Sequence, residues 1–166
     1  MIVNIALLTV TDTRTLKTDK SGNILVKKIG KAKHNLVDRK ICKDSKGEIK
    51  KILKDWTKKK KIDVIITTGG TGLTGRDITP EALDEIADKH IPGFGEIFRT
   101  ISLKTVGTSS IQSRACAILA NGKYIFALPG SSGGVTDAWD EILVHQLDIN
   151  HKPCNFVELF PRLKEK

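Results

Sequence analysis

The feature that most restricts the fold of this chain is the alternation of short apolar runs with helical patterns. Runs rich in β-branched and aliphatic residues occupy positions 2–10, 36–42, 62–68 and 123–128, and each precedes a turn-rich or helix-starting segment. The run IDVIITT at 62–68 is largely apolar on both faces of a strand. Such strands, separated by helices, predict a mainly parallel sheet covered on both sides by helices, which is a three-layer α/β/α sandwich.

Helical patterns lie between and after these runs, and each places apolar residues on one face at a spacing of three or four. The predicted buried stripes are Leu25, Ile29 and Ala32; Ile49, Ile52, Leu53 and Trp56 behind a capping box at 45–48; Leu83, Ile86 and Ala87 behind a helix start at 79–80; Phe94, Ile97, Phe98 and Ile101; Ala115, Ile118 and Leu119; and Val135, Ala138, Trp139, Ile142 and Leu143. We interpret these stripes as core and not as ligand pockets.

A chain of 166 residues that is 39% apolar is long enough to bury one sizeable core, so we predict a single domain over residues 1–166. No run approaches the roughly 18 to 20 apolar residues of a membrane span, and the first ten residues lack a basic leader. We expect a cytoplasmic protein with no membrane partner. Cys42, Cys116 and Cys154 are widely separated, which favours reduced, structural thiols over a metal site.

The net charge of +9 admits nucleic acid, a membrane surface or small anionic ligands as partners. The densest basic stretch, residues 58–61, follows a helical pattern and is typical of a solvated helix end. Aromatic residues make up 5% of the chain and are not interleaved with the basic ones, as a stacking platform for single strands requires. We therefore expect no nucleic-acid partner.

Polar and glycine-rich segments follow the predicted strands. In a parallel α/β sheet the ligand crevice lies beyond the carboxyl ends of the strands, so functional residues are expected there. The segments are Thr11-Asp12-Thr13-Arg14 after the first strand, Asp44 after the second, the glycine segment after the third and residues 129–134, PGSSGG, after the run at 123–128. Their coincidence on one rim predicts a ligand site.

The glycine segment TTGGTGLTGRDITPEA, at 67–82, imitates two nucleotide-binding loops. Residues 70–75 fit the dinucleotide pattern G-x-G-x-x-G, but the helix start at 79–80 comes too late for a pyrophosphate to meet a helix N-terminus. The segment also nearly fits the phosphate loop G-x-x-x-x-G-K-[ST], with Arg76 and Asp77 in the last two places. There Asp77 would set a carboxylate against phosphate oxygens unless a metal ion intervened. Neither loop is therefore present in its usual form.

A third interpretation suits the segment: a loop that binds an anion through its backbone N–H groups and also supplies a metal ligand, called here the anion cradle. Asp77 and Asp44, at neighbouring strand ends, would hold a Mg²⁺ ion that bridges phosphates, since Mg²⁺ typically uses one or two carboxylates together with phosphate oxygens. A glycine turn in which Asp77 caps the next helix remains open as a purely structural explanation. The predicted donors of the cradle are the backbone N–H groups of Gly69, Gly70 and Gly72 and the hydroxyls of Thr68 and Thr71.

Two further groups of residues are candidates for binding an anion. Glu96 and Arg99, three positions apart on a predicted helix, form either a surface ion pair or part of a site. Arg114 has the forked geometry that suits phosphate. The serines that surround the predicted helix start beside it, as caps or as anion ligands, are Ser109, Ser110 and Ser113.

Five motifs in order along the chain resemble those of the molybdenum cofactor biosynthesis proteins of the MoaB/MogA family: TTGGTG with RD-TPEA, PGFGEIFR, GTSSIQSRA, ALPGS and PCNF. The resemblance implies a three-layer α/β fold assembled as a trimer or a hexamer. It also implies an adenylyltransferase, in which the terminal phosphate of molybdopterin attacks the α-phosphate of Mg-ATP and releases pyrophosphate. The adenylylated product would pass to a molybdate-inserting protein. Asp77 and Asp44 match the two aspartates that active members require.

The resemblance and the residues together predict one binding set for ATP and molybdopterin, with Mg²⁺ on Asp77 and Asp44. Gly133 stands where some family members carry a lysine, so a protein that binds molybdopterin or a nucleotide without turnover stays open as the alternative. The sequence leaves both trimer or hexamer and molybdenum or tungsten undecided. The predicted binding residues are Thr11, Thr68, Gly69, Gly70, Thr71, Gly72, Arg76, Glu96, Arg99, Ser109, Ser110, Ser113, Arg114, Pro129, Gly130 and Ser131.

Overall fold

The computed structural model describes residues 1–165. The elements follow in the order β1 (Asn4–Val10), α1 (Lys20–Lys31), β2 (Asn35–Cys42), α2 (Lys46–Lys58), β3 (Val64–Thr68), α3 (Thr79–Asp84), β4 (Lys89–His90), α4 (Pro92–Val106), a first 3-10 helix (Gly107–Gln112), β5 (Cys116–Ala120), β6 (Lys123–Leu128), α5 (Ser132–Ala138), a π-helical turn (Trp139–Leu143), α6 (Val144–Gln146) and a second 3-10 helix (Val157–Arg162).

The six strands of the described residues form one sheet in the order β2-β1-β3-β6-β5-β4. β2, β1, β3 and β6 pair in parallel, and β5 pairs antiparallel with both β6 and β4, so β5 alone runs in the opposite direction. The predicted mainly parallel sheet is confirmed. Because the four parallel strands lie side by side, their carboxyl ends share one edge, and the segments that follow them converge there.

Successive residues of the central strands point to opposite cores, which makes the domain three layers thick. On β1, Ile5 and Leu7 pack against α1, α4 and the helical segment from α5 to α6, whereas Ala6 and Leu8 pack against α2 and α3. Both faces of the strand are therefore buried, as the doubly apolar runs of the sequence indicated, and the three-layer α/β/α fold is confirmed. The single domain over residues 1–166 stays a prediction, and its last residue, Lys166, lies outside the described residues.

The start of α2 illustrates how local sequence and packing agree. The Ser45 hydroxyl accepts a hydrogen bond from the Glu48 backbone N–H at 3.5 Å, while Glu48 Oε2 accepts from the Lys43 N–H at 3.1 Å. Farther along the helix, Trp56 is fully buried and its Nε1 donates to Asp38 Oδ2 at 2.9 Å. The capped end sets where the helix begins, and the tryptophan anchors it to the strand β2.

The helix predicted over Ala115, Ile118 and Leu119 is wrong, because these residues lead into and occupy the strand β5. Asn121 and Gly122 link β5 to β6, and both have positive φ, 49° and 69°. Two residues with positive φ make the tight turn whose twist suits a two-residue hairpin, and Asn-Gly is its commonest sequence. That dipeptide was the signal for a hairpin, and it outweighs three apolar residues that also fit a helical spacing.

Three smaller differences concern the neighbouring helices and strand. α3 ends at Asp84, so Ile86 and Ala87 lie beyond it, although both still pack against the core. Ile97 was predicted to be buried, yet its side chain is 55% exposed on α4. The two-residue strand β4 was not predicted, since a strand this short has no periodicity to detect.

Among the described residues, no helix combines the length and apolar character needed to cross a membrane.

Candidate functional site

A central cavity of about 700 Å³ lies at the carboxyl ends of β3 and β6. Its walls come from the loop after β3, from α4 and the first 3-10 helix, and from the segment that leads into α5. The predicted binding or catalytic residues that line it are Gly70, Thr71, Gly72, Asp77, Ser109, Ser110, Ser113, Pro129, Gly130 and Ser131. The strand-end argument therefore located the cavity, and the structure brings these distant segments together around it.

The chain leaves β3 through a turn that requires glycine at residue 69. Gly69 has a φ of 101°, and a β-carbon there would lie 2.2 Å from the carbonyl oxygen of Val10. Its N–H donates to the Leu128 carbonyl at 3.0 Å, and its own carbonyl accepts from the Thr79 hydroxyl at 2.9 Å. The turn thus joins the ends of β1, β3 and β6 to the first residue of α3, which holds the glycine loop, residues 69–77, close to the sheet.

Asp77 turns its carboxylate back into the glycine loop. Oδ2 accepts from the Thr74 N–H at 2.9 Å and from the Thr74 hydroxyl at 2.6 Å. The hydroxyl bond, with those from the amides of Thr74 and Gly72, lowers the pKa of Asp77 below its ordinary value of 3.8. The residue before α3 is Ile78 and has no side-chain cap, so the explanation of Asp77 as a helix cap is wrong. The carboxylate is ionised at neutral pH and lines the cavity.

Asp44 approaches the same loop from β2. A β-carbon on Gly70 would lie 3.2 Å from Asp44 Oδ1, and one on Gly72 would lie 2.8 Å from Asp77 Oδ2, so a carboxylate stands against each of these two glycines. Burial raises the pKa of Asp44, and the charges of Asp12 and Asp77 raise it further. The structure therefore gathers negative charge at this edge of the glycine loop.

Asp12 belongs to this acidic group, and the predicted site did not include it. Its Oδ1 accepts from the Asp44 N–H at 3.3 Å, and its carboxylate pairs with the guanidinium of Arg76, which is largely exposed. Arg76, a predicted binding residue, thus lies at the rim of the glycine loop and is partnered by protein. Its position in the sequence could have identified Asp12 as a site residue, because it follows β1 just as Asp44 follows β2.

The acidic residues suit Mg²⁺ better than a metal held by protein alone. Residues 1–165 contain no group of three or more histidine, cysteine, aspartate or glutamate side chains arranged to hold a metal ion. Mg²⁺ needs no such group, since one or two carboxylates suffice when phosphate oxygens and water complete the shell. Asp44 and Asp77 fit that requirement, and the raised pKa of Asp44 marks a place where a divalent cation would relieve repulsion between like charges.

Arg114 supports the glycine loop from the start of β5. Its Nε donates to the Gly72 carbonyl and its Nη2 to the Asp77 carbonyl, each at 2.7 Å, and its Nη1 pairs with Glu81. Its backbone N–H donates to the Thr71 carbonyl at 3.0 Å. The fork that was expected to receive phosphate is occupied by protein groups. In this structure Arg114 braces the loop, and its binding of phosphate stays a prediction.

Several predicted residues lie outside the central cavity. Glu96, Arg99 and Arg114 line a neighbouring cavity of about 500 Å³. Arg99 Nη1 lies 3.4 Å from the carbonyl of Ser113 and 3.3 Å from that of Ala115, and the alternative ion pair with Glu96 is absent among the described residues. Glu96 and Arg99 form a separate region, and Arg114 lies between that region and Asp77, whose carbonyl it bonds.

A third cavity, of about 280 Å³, contains the remaining predicted threonines. Thr11 and Thr68 line it together with Gly130 and Ser131. Thr68 is fully buried, and its hydroxyl donates to the Pro129 carbonyl at 2.7 Å. Thr68 therefore ties the end of β3 to the segment after β6, so this hydroxyl is used within the protein.

The serine cluster lies on the central cavity but not at the start of an α-helix. Ser109 and Ser110 belong to the first 3-10 helix, and Ser113 follows it. The next element is the strand β5. The expected helix N-terminus at this place is wrong, so any anion bound there would meet hydroxyls and not a helix dipole.

The three cysteines take no part in the central cavity. All are free, with Cys42 buried, Cys116 half-buried and Cys154 exposed. Burial raises the pKa of Cys42 to about 12 and that of Cys116 to about 11. These two thiols stay protonated at neutral pH, which agrees with a structural role.

The fold and the central cavity together define a class, the three-layer α/β proteins with a cavity where parallel strands end. Within that class, the sequence profile of a family described as "Probable molybdopterin binding domain" matches residues 6–149. The chain belongs to this molybdopterin-binding family.

Individual relatives agree over nearly the whole chain. The chain is 42% identical over 161 residues to molybdenum cofactor biosynthesis protein B of Escherichia coli K12, covering 97% of this chain and 93% of that protein. Its structure superposes on a crystal structure of molybdenum cofactor biosynthesis protein B with a TM-score of 0.90 at 36% identity, covering 100% and 98% of the two chains. It also resembles the tungsten cofactor synthesizing protein MoaB of Pyrococcus furiosus, with a TM-score of 0.76 at 34% identity, covering 86% of this chain and 91% of that one.

Proposed function

We propose that the protein acts in molybdenum cofactor biosynthesis as a molybdopterin adenylyltransferase. The terminal phosphate oxygen of molybdopterin attacks the α-phosphorus of ATP, and the new P–O bond forms as the bond to pyrophosphate breaks. The electron pair of the broken bond leaves on pyrophosphate. The observation that carries the proposal is the placement of Asp44 and Asp77 against Gly70 and Gly72 of the glycine loop. The relatives named for this pathway support it.

The chemistry asks the protein mainly to hold two polyanions in line and to offset their charge. Of the three predicted N–H donors, those of Gly69 and Gly72 bond the Leu128 carbonyl and the Asp77 carboxylate, so Gly70 is the one proposed to meet a phosphate beside the cavity. The carboxylates of Asp44 and Asp77 would hold Mg²⁺. When bound, Mg²⁺ supplies charge neutralisation at the phosphates. The attacking phosphate is already ionised at neutral pH, so the chain needs no general base.

The side chains around the central cavity agree with a need for the cation. Among residues 1–165, its lining contains hydroxyls, glycines and two carboxylates, Asp77 and Asp137, but no lysine or arginine. Two phosphorylated substrates would repel each other and these carboxylates if no cation accompanied them. We expect activity to depend strictly on a divalent cation.

The direct test supplies molybdopterin, ATP and Mg²⁺ and follows pyrophosphate release. Asp77→Asn removes the negative charge while keeping the shape, and we expect roughly a 10²-fold loss of kcat or more. Asp55→Asn, which removes an exposed carboxylate on α2, is the matched control and should leave turnover unchanged. Absence of pyrophosphate release by the wild type, or equal turnover by Asp77→Asn, would contradict the enzyme.

A binding protein without turnover is the second candidate, and Gly133 favours it. This residue lines the central cavity without a side chain, at the place where some family members carry a lysine. With no fixed cation there, the chain would bind molybdopterin or a nucleotide more readily than it would stabilise the redistributed charge of the transition state. Calorimetry would then show binding of molybdopterin while no adenylylated product formed.

We also propose that the protein works as a homo-oligomer, a trimer or a hexamer, that passes its product to a molybdate-inserting protein. Exposed apolar side chains on α4 and the first 3-10 helix support self-association, among them Ile97 at 55% and Ile111 at 81% exposure. Sedimentation equilibrium of the wild type and of Ile111→Glu tests this. A monomer at all concentrations would exclude it.

A further inference from the structure

The central cavity has one charged side chain on each of two separate elements. Asp77 belongs to the glycine loop, and Asp137 lies on α5, where the described lining residues include Phe98, Thr105 and Val106 of α4. No motif of the sequence pointed to Asp137, which lies between residues of a predicted core stripe. Asp137 is a half-buried carboxylate on a cavity wall that also carries apolar side chains, so the groups that bind its oxygens bear on its role.

Within the described residues, Asp137 has one side-chain hydrogen-bond partner, the Thr105 hydroxyl. The Thr105 hydroxyl lies 3.1 Å from Asp137 Oδ2, but it also lies 3.1 Å from the carbonyl of Ser102. One hydroxyl has one proton, so the two acceptors share it. No lysine, arginine or histidine of residues 1–165 forms an ion pair with Asp137. The carboxylate therefore keeps open acceptor sites on the wall of the cavity.

We propose that Asp137 accepts hydrogen bonds from the 2-amino-4-oxopyrimidine edge of a pterin ring. That edge presents two adjacent N–H donors, the 2-amino group and N3–H, which match the two oxygens of one carboxylate. Adenine presents a donor beside an acceptor at the corresponding edge, and a carboxylate would repel that acceptor. Asp137 thus selects the pterin ring over adenine at this end of the cavity. The inference deepens the proposed function and rests on it for the identity of the ligand.

The charges around the central cavity also determine how the ligand is oriented in it. A phosphate beside Asp137 would be repelled, since the cavity lining described has no basic side chain to offset the two charges. The glycine loop offers backbone N–H donors and the carboxylates that suit Mg²⁺. The pterin ring therefore lies toward Phe98 and Asp137, and its phosphate extends toward Gly70 and Gly72.

The experiment compares two rings that differ in the donor that Asp137 would recognise. Calorimetry measures binding of 6-hydroxymethylpterin and of 6-hydroxymethyl-lumazine, which has a 2-oxo group in place of the 2-amino group. We expect the wild type to prefer the pterin by roughly tenfold or more, because a hydrogen bond to an ionised group is lost and an acceptor faces the carboxylate. Asp137→Asn and Asp137→Ser should lose most of this preference.

Asp140→Asn is the matched control, because Asp140 is an exposed carboxylate nearby that pairs with Lys28 at 2.7 Å and does not line the cavity. It should keep the preference, and thermal unfolding of each variant checks that the fold is intact. The inference is overturned if the wild type binds neither ring, if it binds both equally, or if either Asp137 variant keeps the full preference.

The outcome separates this inference from the proposed reaction. If the preference for the pterin depends on Asp137 but the protein releases no pyrophosphate, the pterin contact is supported and the adenylyltransferase activity is ruled out. If the protein releases pyrophosphate and Asp137→Asn leaves the KM for molybdopterin unchanged, the enzymatic activity is supported and the pterin contact is ruled out.

Discussion

Two glycine-rich loops meet at the central cavity, and they are held in different ways. The glycine loop, residues 69–77, follows β3 and is fastened by side chains, with Thr79, Arg114 and the carboxylate of Asp77 all bonded to it. Residues 129–134, called here the loop after β6, include the first turn of α5 and contain no charged residue, and the Ser131 hydroxyl accepts from the Gly134 N–H at 3.1 Å. The loops touch, since a β-carbon on Gly130 would lie 3.3 Å from the α-carbon of Gly69.

This difference indicates that the glycine loop holds its charged side chains in place before any ligand binds. Holding carboxylates near one another costs free energy, and the hydrogen bonds around Asp77 and Arg114 offset that cost. The loop after β6 has no such cost and needs only a helix cap. We therefore expect the glycine loop to respond strongly to loss of one side chain, and the loop after β6 to accept new ones.

Loss of the Arg114 brace should have the largest effect on stability. Arg114→Met removes the donors to Gly72 and Asp77 and the partner of Glu81. We expect the free energy of unfolding to fall by about 2 kcal/mol, and amide exchange in residues 71–78 to accelerate. Urea unfolding and hydrogen exchange measure the two effects. Arg99 makes longer bonds, of 3.3 and 3.4 Å, so Arg99→Met should lower the free energy of unfolding less. An equal loss in the two variants would contradict a special role for Arg114.

The link between the two loops should have an intermediate effect. Thr68→Val keeps the shape of a fully buried side chain but removes the 2.7 Å hydrogen bond to the Pro129 carbonyl. We expect a loss of about 1 kcal/mol in the free energy of unfolding, because the carbonyl loses this donor. Thr100→Val, which removes a hydroxyl from the exposed side of α4, is the control. A null result for Thr68→Val would show that the loops are held together without it.

The two carboxylates should respond to pH in opposite directions. The pKa of Asp44 is raised above 3.8 in the folded protein, so its ionisation opposes folding as the pH rises through the raised pKa. The pKa of Asp77 is lowered below 3.8, so its contribution to stability is present above that pH and disappears as the pH falls through the lowered pKa.

At neutral pH we therefore expect Asp44→Asn to be more stable than the wild type and Asp77→Asn to be less stable. Each difference should be about 1 kcal/mol or less, since both side chains are partly exposed. Thermal unfolding between pH 3 and 7 measures it, and the advantage of Asp44→Asn should shrink toward the acid end. Shifts of the same sign in the two variants would contradict the assignment. Mg²⁺ should raise the Tm of the wild type more than that of Asp44→Asn.

A lysine in the loop after β6 should have the smallest effect. A β-carbon on Gly133 would meet nothing within 4 Å, so a side chain can start there without a clash. We expect binding of a phosphorylated ligand to tighten by about fivefold, as one partly exposed charge pair allows, with the fold unchanged. Gly133→Gln is the uncharged control. Equal affinities of the two variants would show that the cavity does not direct phosphate toward this residue.

The sequence predicted the parallel half of the molecule better than the antiparallel half. The runs that became β1, β3 and β6 are buried on both faces, and the run that became the edge strand β2 lies between two helices, so all four are apolar enough to recognise. β5 is five residues long and fits a helical spacing as well as a strand. Pairing with β6 makes this segment a strand, and the Asn-Gly turn indicates a hairpin only when both neighbouring segments are strands.

The residues of the site also differ in how far the sequence could predict them. The position of Asp77 and Asp44 at strand ends is a property of local order along the chain, so the sequence could nominate both as candidates, and of the two Asp77 lines the central cavity. The roles of Arg114, Asp12 and Asp137 depend on which groups the fold brings within hydrogen-bonding distance across many residues of sequence. Periodicity and motifs specify elements and their ends, because those depend on neighbours in the chain. Partners of charged side chains emerge only from packing, because a guanidinium or a carboxylate binds whatever the folded backbone places around it.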